Sequence, residues 1–182
     1  CRPSIIGVWK RIVSDNSNME SANKKAGIDS GLDWHWFVLD KMTPLMLYDL
    51  LSFREAVFVV EQKCIYHELD GLDKSAQHLV GLHDETVVAC LRVIPSVSGK
   101  ARVRIGRVAV SPGWRKRGIA GEMMGLAIHK VAKDYPGGDV FLDAQTYLQR
   151  FYENLGFQVS GEEFLEDGIP HIPMALCAEP AS

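Results

Sequence analysis

Apolar and polar positions follow two different periods along this chain, and the changes of period mark its elements. Trp34 to Asp40 is rich in aromatic and β-branched side chains and predicts a strand. Thr43-Pro44 reads as a helix start, with Thr as N-cap and Pro at the first helical position. That helix is expected to run to about Val60 and, being apolar around most of its surface, to be well buried. From Glu61 to Ser75 the chain turns polar and rich in Gly and Asp, which predicts a long loop. Loops of this length inside a compact domain are often functional. Gln77–His83 and Thr86–Ile94 flank Asp84-Glu85 as a hairpin, Ser96–Lys100 is the next turn, and Arg102–Val110 is the third strand of a meander.

The second half begins with the clearest helical pattern. Ile119, Ala120, Met123, Met124, Ala127, Ile128 and Val131 repeat at helical spacing within Gly118–Lys133. Both methionines lie in that stripe and read as core. Pro136-Gly137-Gly138 ends the helix. Asp139–Ala144 is a strand, Tyr147–Leu155 a short helix with Gly156 as its C-cap, and Phe157–Phe164 and His171–Cys177 are strands about an Asp167-Gly168 turn. This order predicts a mixed α/β sheet with helices packed on it.

Residues 14–33 are rich in Ser, Asn, Asp, Lys and Gly with few apolar anchors, so 1–33 is expected to be a flexible extension. One domain over 34–177 and a short tail, 178–182, complete the chain. The sequence does not begin with Met, which reads as a processed chain or a fragment. Cys1 to Ser14 holds three basic and no acidic side chains, faintly like the end of a transit peptide, although an untargeted extension is the plainer reading.

The 182 residues suffice for one domain with a substantial core, and 47% hydrophobic and 24% charged residues are ordinary for a globular protein. A net charge of −3 gives no support to nucleic-acid binding. Basic charge is instead local: Arg102, Arg104, Arg107, Arg115, Lys116 and Arg117 follow one another with no Asp or Glu between them. This suits one small polyanion, with a solvated basic face as the alternative. The cysteines are scattered: Cys90 and Cys177 read as small core hydrophobes, and neither they nor Cys1 and Cys64 have zinc-ligand spacing, so no metal and a reducing, cytoplasmic compartment are expected. No apolar run is long enough to span a membrane.

The basic residues frame the chief motif, Arg107-Val-Ala-Val-Ser-Pro-Gly-Trp-Arg-Lys-Arg-Gly-Ile-Ala120. A strand stops at Ser111-Pro112, a basic turn comes next, and Gly118 opens a helix. Unpaired N–H groups and the helix dipole favour an anion there, and Gly118 lets it approach the backbone closely. Arg115, Lys116 and Arg117 add charge. No Gly-Lys-Ser/Thr comes after it, so a Walker-type site is disfavoured, and the dinucleotide pattern Gly-x-Gly-x-x-Gly is absent.

Taken with Phe151-Tyr152-Glu153-Asn154-Leu155-Gly156-Phe157, this motif resembles the GNAT superfamily of acyl-CoA-dependent N-acyltransferases. Arg115, Gly118 and Ala120 supply its Arg-x-x-Gly-x-Ala core. Arg54-Glu-Ala-Val-Phe-Val-Val-Glu-Gln62, Ile105-Gly-Arg-Val108 and Leu165-Glu-Asp-Gly-Ile-Pro-His171 are similar to the ElaA-like branch. The resemblance implies a mixed, mostly antiparallel sheet with a V-shaped splay between strands near 107–111 and 139–144. It implies acetyl-CoA as co-substrate, with the pantetheine arm on Val108, Ala109 and Val110 as an added strand. The diphosphate would lie on Arg115, Lys116, Arg117, Gly118, Ile119 and Ala120. Gln145 stands near where many members carry an Asn that bonds the pantetheine arm. Tyr152 stands where the family places the acid that protonates the leaving thiolate.

The proton acceptor is open. Glu61 closes the first helix and is singled out by the branch resemblance, as a carboxylate for the substrate ammonium or its proton. His67, Asp70, Asp73 and His171 compete with it, and a histidine suits proton transfer near neutral pH. Asp70, with Glu68 and Asp73, also gives the loop a slight acidic excess that suits a cationic amine. The expected function is transfer of an acetyl group to an amine of a small molecule or a protein, by a monomer or a homodimer. The alternative is a non-catalytic acyl-CoA-binding module. Arg107 could reach a phosphate or pair internally.

Overall fold

The computed structural model describes residues 30–63, 66–96 and 102–177. Residues 1–29 of the expected extension over 1–33, residues 97–100 of the expected turn Ser96–Lys100, Cys64 and the tail at 178–182 lie outside the described residues, while the described end of the extension holds the buried Leu32 and the first residue of β1, Asp33. Among the described residues eight strands form one sheet: β1 (Asp33–Val38), β2 (Gln77–His83), β3 (Thr86–Pro95), β4 (Arg102–Val110), β5 (Asp139–Gln145), β6 (Gln158–Val159), β7 (Phe164–Glu166) and β8 (Ile169–Leu176). Their spatial order is β1-β2-β3-β4-β5-β8-β6, with β7 also on β8. All pairs are antiparallel except β4 with β5.

Local chemistry accounts for the hairpin and the helix starts. Asp84 and Glu85 both take positive φ (45° and 63°), the two-residue turn whose twist matches the flanking strands. The helix α1 (Pro44–Glu55) starts where the Thr43 hydroxyl accepts from the Met46 N–H, as the Thr-Pro pair predicts. It packs on one sheet face through Met46 and Leu50, joined by Val57 just past its end, against Phe37, Val80, Leu82, Cys90 and Ala109. The helix α2 (Ile119–Asp134) covers the opposite face with its expected stripe, and the short α3 (Gln149–Glu153) joins it there. Gly81 is small because Trp34 crosses it: a Cβ there would lie 2.7 Å from the indole ring.

Three expectations need correction. First, the helix expected from Thr43-Pro44 to about Val60 is not buried all round, since Leu45, Tyr48 and Val60 are exposed. One face of a helix can meet a sheet, and here that stripe ends on Arg54 rather than an apolar residue. Second, Phe157–Phe164 is not one strand. It forms β6, a gap at 160–163 beside Pro173 of β8, and β7; a proline has no N–H for the ladder. Third, Cys177 is exposed, because it lies one residue past the end of β8, whereas Cys90 is buried as expected.

Candidate active site

The site begins where the sheet opens. The β4–β5 ladder joins Arg102 to Asp139, Val103 to Val140 and Arg104 to Phe141, and then ends. Beyond Arg104 the two strands diverge, leaving one edge of β4 without a β5 partner. A bulge at this level shifts the register of β4 on β3 between Gly106 and Ala109, with Arg107 in a left-handed conformation (φ 52°). Val108 and Val110 face α2, while Ala109 faces α1. All three residues lie beyond the end of the β4–β5 ladder.

The end of β4 feeds directly into the N-terminus of α2. The Ser111 N–H donates to the Val88 carbonyl (2.8 Å), Pro112–Trp114 makes a tight turn, and Lys116 and Gly118 take positive φ (64° and 81°). Gly118 is the N-cap and has no side chain with which to cap the first turn. The early N–H groups of α2 therefore have no side-chain cap. Arg117 lies over the Trp114 ring, 4.7 Å from its centroid.

Arg115 is already engaged. Its Nε donates to the Val110 carbonyl (2.9 Å), and its two terminal nitrogens donate to the two Glu61 carboxylate oxygens (2.6 and 2.8 Å). Glu61 is brought there by a π-helical turn, Ala56–Glu61, that continues α1 with a wider winding and so changes the direction in which its last side chains point. The hydrogen bonds from Arg115, reinforced by its charge, hold the Glu61 carboxyl below its ordinary range. The next residue reaches the other bank: the Gln145 amide N–H, at the end of β5, donates to the Gln62 side-chain oxygen (3.3 Å). Glu61-Gln62 thus spans the opening.

Tyr152 lies in α3 on the α2 side and is only 5% exposed. Its carbonyl accepts the Phe157 N–H (3.1 Å), and its ring meets Phe151 and Phe157 edge-on. Burial, with a smaller contribution from Tyr147, pushes its phenol up to about 12, so it stays protonated at neutral pH. On the α1 side, His171 pairs with Gln145 in the β5–β8 register, which places the two side chains on one face. The His171 Nδ1 lies 2.8 Å from the Ile169 carbonyl, and its Nε2 lies 3.8 Å from the Glu166 carboxylate. A carbonyl can only accept, so a neutral His171 carries its proton on Nδ1 and its lone pair on Nε2.

Asp70 is at the exposed edge of a lattice, buried at Arg54, Glu68, Asp73 and Arg92, that the sequence did not announce. Arg54, 1% exposed, holds Glu68 (2.7 and 2.8 Å) and Asp73 (2.8 and 3.2 Å). Arg92 holds Asp70 and Asp73, and Arg107 holds Glu68 through its carboxylate (2.8 Å) and its carbonyl (3.1 Å). Burial alone would raise Asp70, but Arg92, the Leu72 N–H and Arg107 bring it down to about 2. Arg107 therefore pairs internally, with its guanidinium near the rings of Phe58 and Tyr66. The acidic residues of the 62–75 loop that suggested a cationic substrate are largely matched by these arginines. His67, in the same loop, is exposed and does not join the lattice. The signal available in the sequence was a lone cation on each of two apolar elements: Arg54 four residues after Leu50, and Arg92 within Val88–Ile94.

A sheet opened beyond its one parallel pair, with an uncapped helix aimed at the opening, is the framework of an acyl-CoA-dependent N-acyltransferase. The chain belongs to the GNAT acetyltransferase family: residues 44–178 match the acetyltransferase (GNAT) domain. It is 37% identical to the protein ElaA of Escherichia coli over 146 residues, covering 79% of this chain and 95% of that one. Among solved structures it is similar to an acyl-CoA N-acyltransferase from Pseudomonas aeruginosa, at 40% identity and a TM-score of 0.74, covering 79% of this chain and 99% of that one. The crystal structure of E. coli ElaA gives 36% identity and a TM-score of 0.75, with 79% and 98% covered. Among the described residues no helix is long and apolar enough to cross a membrane.

Proposed function

We propose that this protein transfers an acetyl group from acetyl-CoA to a primary amine by direct attack. The observation that carries the reading is the continuity of the open β4 edge with the glycine-capped start of α2. The pantetheine arm lies along Val108 to Val110, on the edge of β4 that β5 leaves, and the diphosphate lies on the N–H groups of residues 115–120. Gln145 lines the facing bank.

The opening has a different proton carrier on each side of the sheet. The amine nitrogen attacks the thioester carbon, and a C–N bond forms while the carbonyl oxygen takes the negative charge. As the C–S bond breaks, the Tyr152 hydroxyl gives its proton to the leaving sulfur. The amine gives up its proton on the α1 side. Carrying the Arg104–Phe141 pairing along both strands, with the extra residue of the β4 bulge allowed for, puts Gln145, and with it His171, near the level of Val108 and Ala109. That level and the Nε2 lone pair favour His171 as the proton acceptor. Glu61, bonded to Arg115 beside Val110, is supported more as a donor-side group than as the base.

The test is release of free thiol from acetyl-CoA across a panel of small amines and lysine peptides, repeated with longer acyl-CoAs. Amine-dependent release is expected, and Tyr152→Phe should lower kcat by about 10²-fold or more while coenzyme A affinity stays within about twofold. Tight coenzyme A binding with no release for any amine would point instead to a binding module. In the pH profile of kcat/KM, His171→Ala should lose the acid limb and Glu61→Gln should keep it. Survival of that limb in His171→Ala would remove His171 from the role.

A further inference from the structure

We propose that Glu61 is an internal stand-in for the donor's diphosphate: it occupies Arg115 in the free protein, and coenzyme A displaces it. This rests on the donor reading above. Three facts carry it. The Arg115 fork is filled on both terminal nitrogens by one carboxylate, the geometry a phosphate would use. The pair is exposed, Arg115 at 41% and Glu61 at 38%, so exchange needs no core rearrangement. The third donor of the same guanidinium holds the Val110 carbonyl, on the strand segment expected to carry the pantetheine arm.

The exchange also reaches the second bank. Glu61 and Gln62 are adjacent, and Gln62 accepts from the Gln145 amide. Withdrawing Glu61 from Arg115 draws Gln62 away from Gln145, so one movement clears both sides of the opening. The π-helical turn that ends at Glu61 is the element that yields, because its wider winding departs from the regular helix before it. An amine that needs the freed Glu61 carboxylate then binds better after the donor than before it.

The geometry makes an unusual demand: deleting a residue beside the donor site should strengthen donor binding. Calorimetry of coenzyme A with Glu61→Gln should give about two- to fivefold tighter binding than wild type, the gain expected from releasing an exposed ion pair. Arg115→Gln should bind more weakly, and in that background Glu61→Gln should add nothing. Equal or weaker binding by Glu61→Gln, or a gain that persists with Arg115→Gln, overturns the stand-in and leaves the donor reading intact. No binding of coenzyme A to the wild type overturns the donor reading and the stand-in together.

Discussion

Arg54 and Arg115 each grip a carboxylate with two hydrogen bonds, but they do so in different media. Arg54 is buried between Glu68 and Asp73. Arg115 meets Glu61 at the surface, on the rim of the opening. In the lattice, whose centre at Arg54, Glu68, Asp73 and Arg92 is buried, three guanidiniums, Arg54, Arg92 and Arg107, meet Glu68, Asp70 and Asp73, so charge balances locally. Removing one partner there strands an uncompensated charge out of water. At the rim, water and salt replace a lost partner cheaply. The lattice therefore pins the 66–75 loop to α1, β3 and β4, whereas the rim pair is suited to exchange partners. Burial, not the identity of the residues, decides which pair is structural.

The lattice is the place to break this contrast most severely. Arg54→Ala should lower stability by about 3–5 kcal/mol, read as a fall in the urea midpoint, because Glu68 and Asp73 lose their shared partner. A loss similar to that of a surface substitution would remove the distinction between the two regions. Acid should act on the same lattice next. The folded Asp70 carboxyl is lowered from 3.8 to about 2, so its contribution is present above the unfolded value and is lost as pH falls from about 3.8 towards about 2. Urea midpoints across that window should fall, and Asp70→Asn should flatten the slope. The smallest effect belongs to the rim. Glu61→Gln should change stability by roughly 1 kcal/mol or less, and the difference should shrink in about 1 M salt.

How much of this was legible in the sequence depends on the range of each interaction. The Thr43-Pro44 start, the Asp84-Glu85 hairpin turn and the α2 stripe depend on residues a few positions apart, and all are found where expected. The opening beyond Arg104 was foreshadowed by the motif at 107–120 and its resemblance to the acyltransferases. The lattice was not legible, because Arg54, Glu68, Asp70, Asp73, Arg92 and Arg107 meet only after α1 and the 66–75 loop close over the sheet. The burial of α1 was overestimated for a related reason. A count of apolar residues does not reveal that Leu45 and Tyr48 point away from the sheet. The π-helical turn that carries Glu61 to Arg115 has no simple sequence signature either.

The most direct test of the donor site and its exchange is a crystal structure of the protein with coenzyme A. The expected result has the diphosphate on the N–H groups of residues 115–120 and on Arg115, with Glu61 withdrawn, the pantetheine arm along Val108 to Val110, and the thiol beside the Tyr152 hydroxyl. Coenzyme A bound away from the β4–β5 opening would contradict the donor site, and a diphosphate in place with the Glu61–Arg115 pair intact would contradict the exchange.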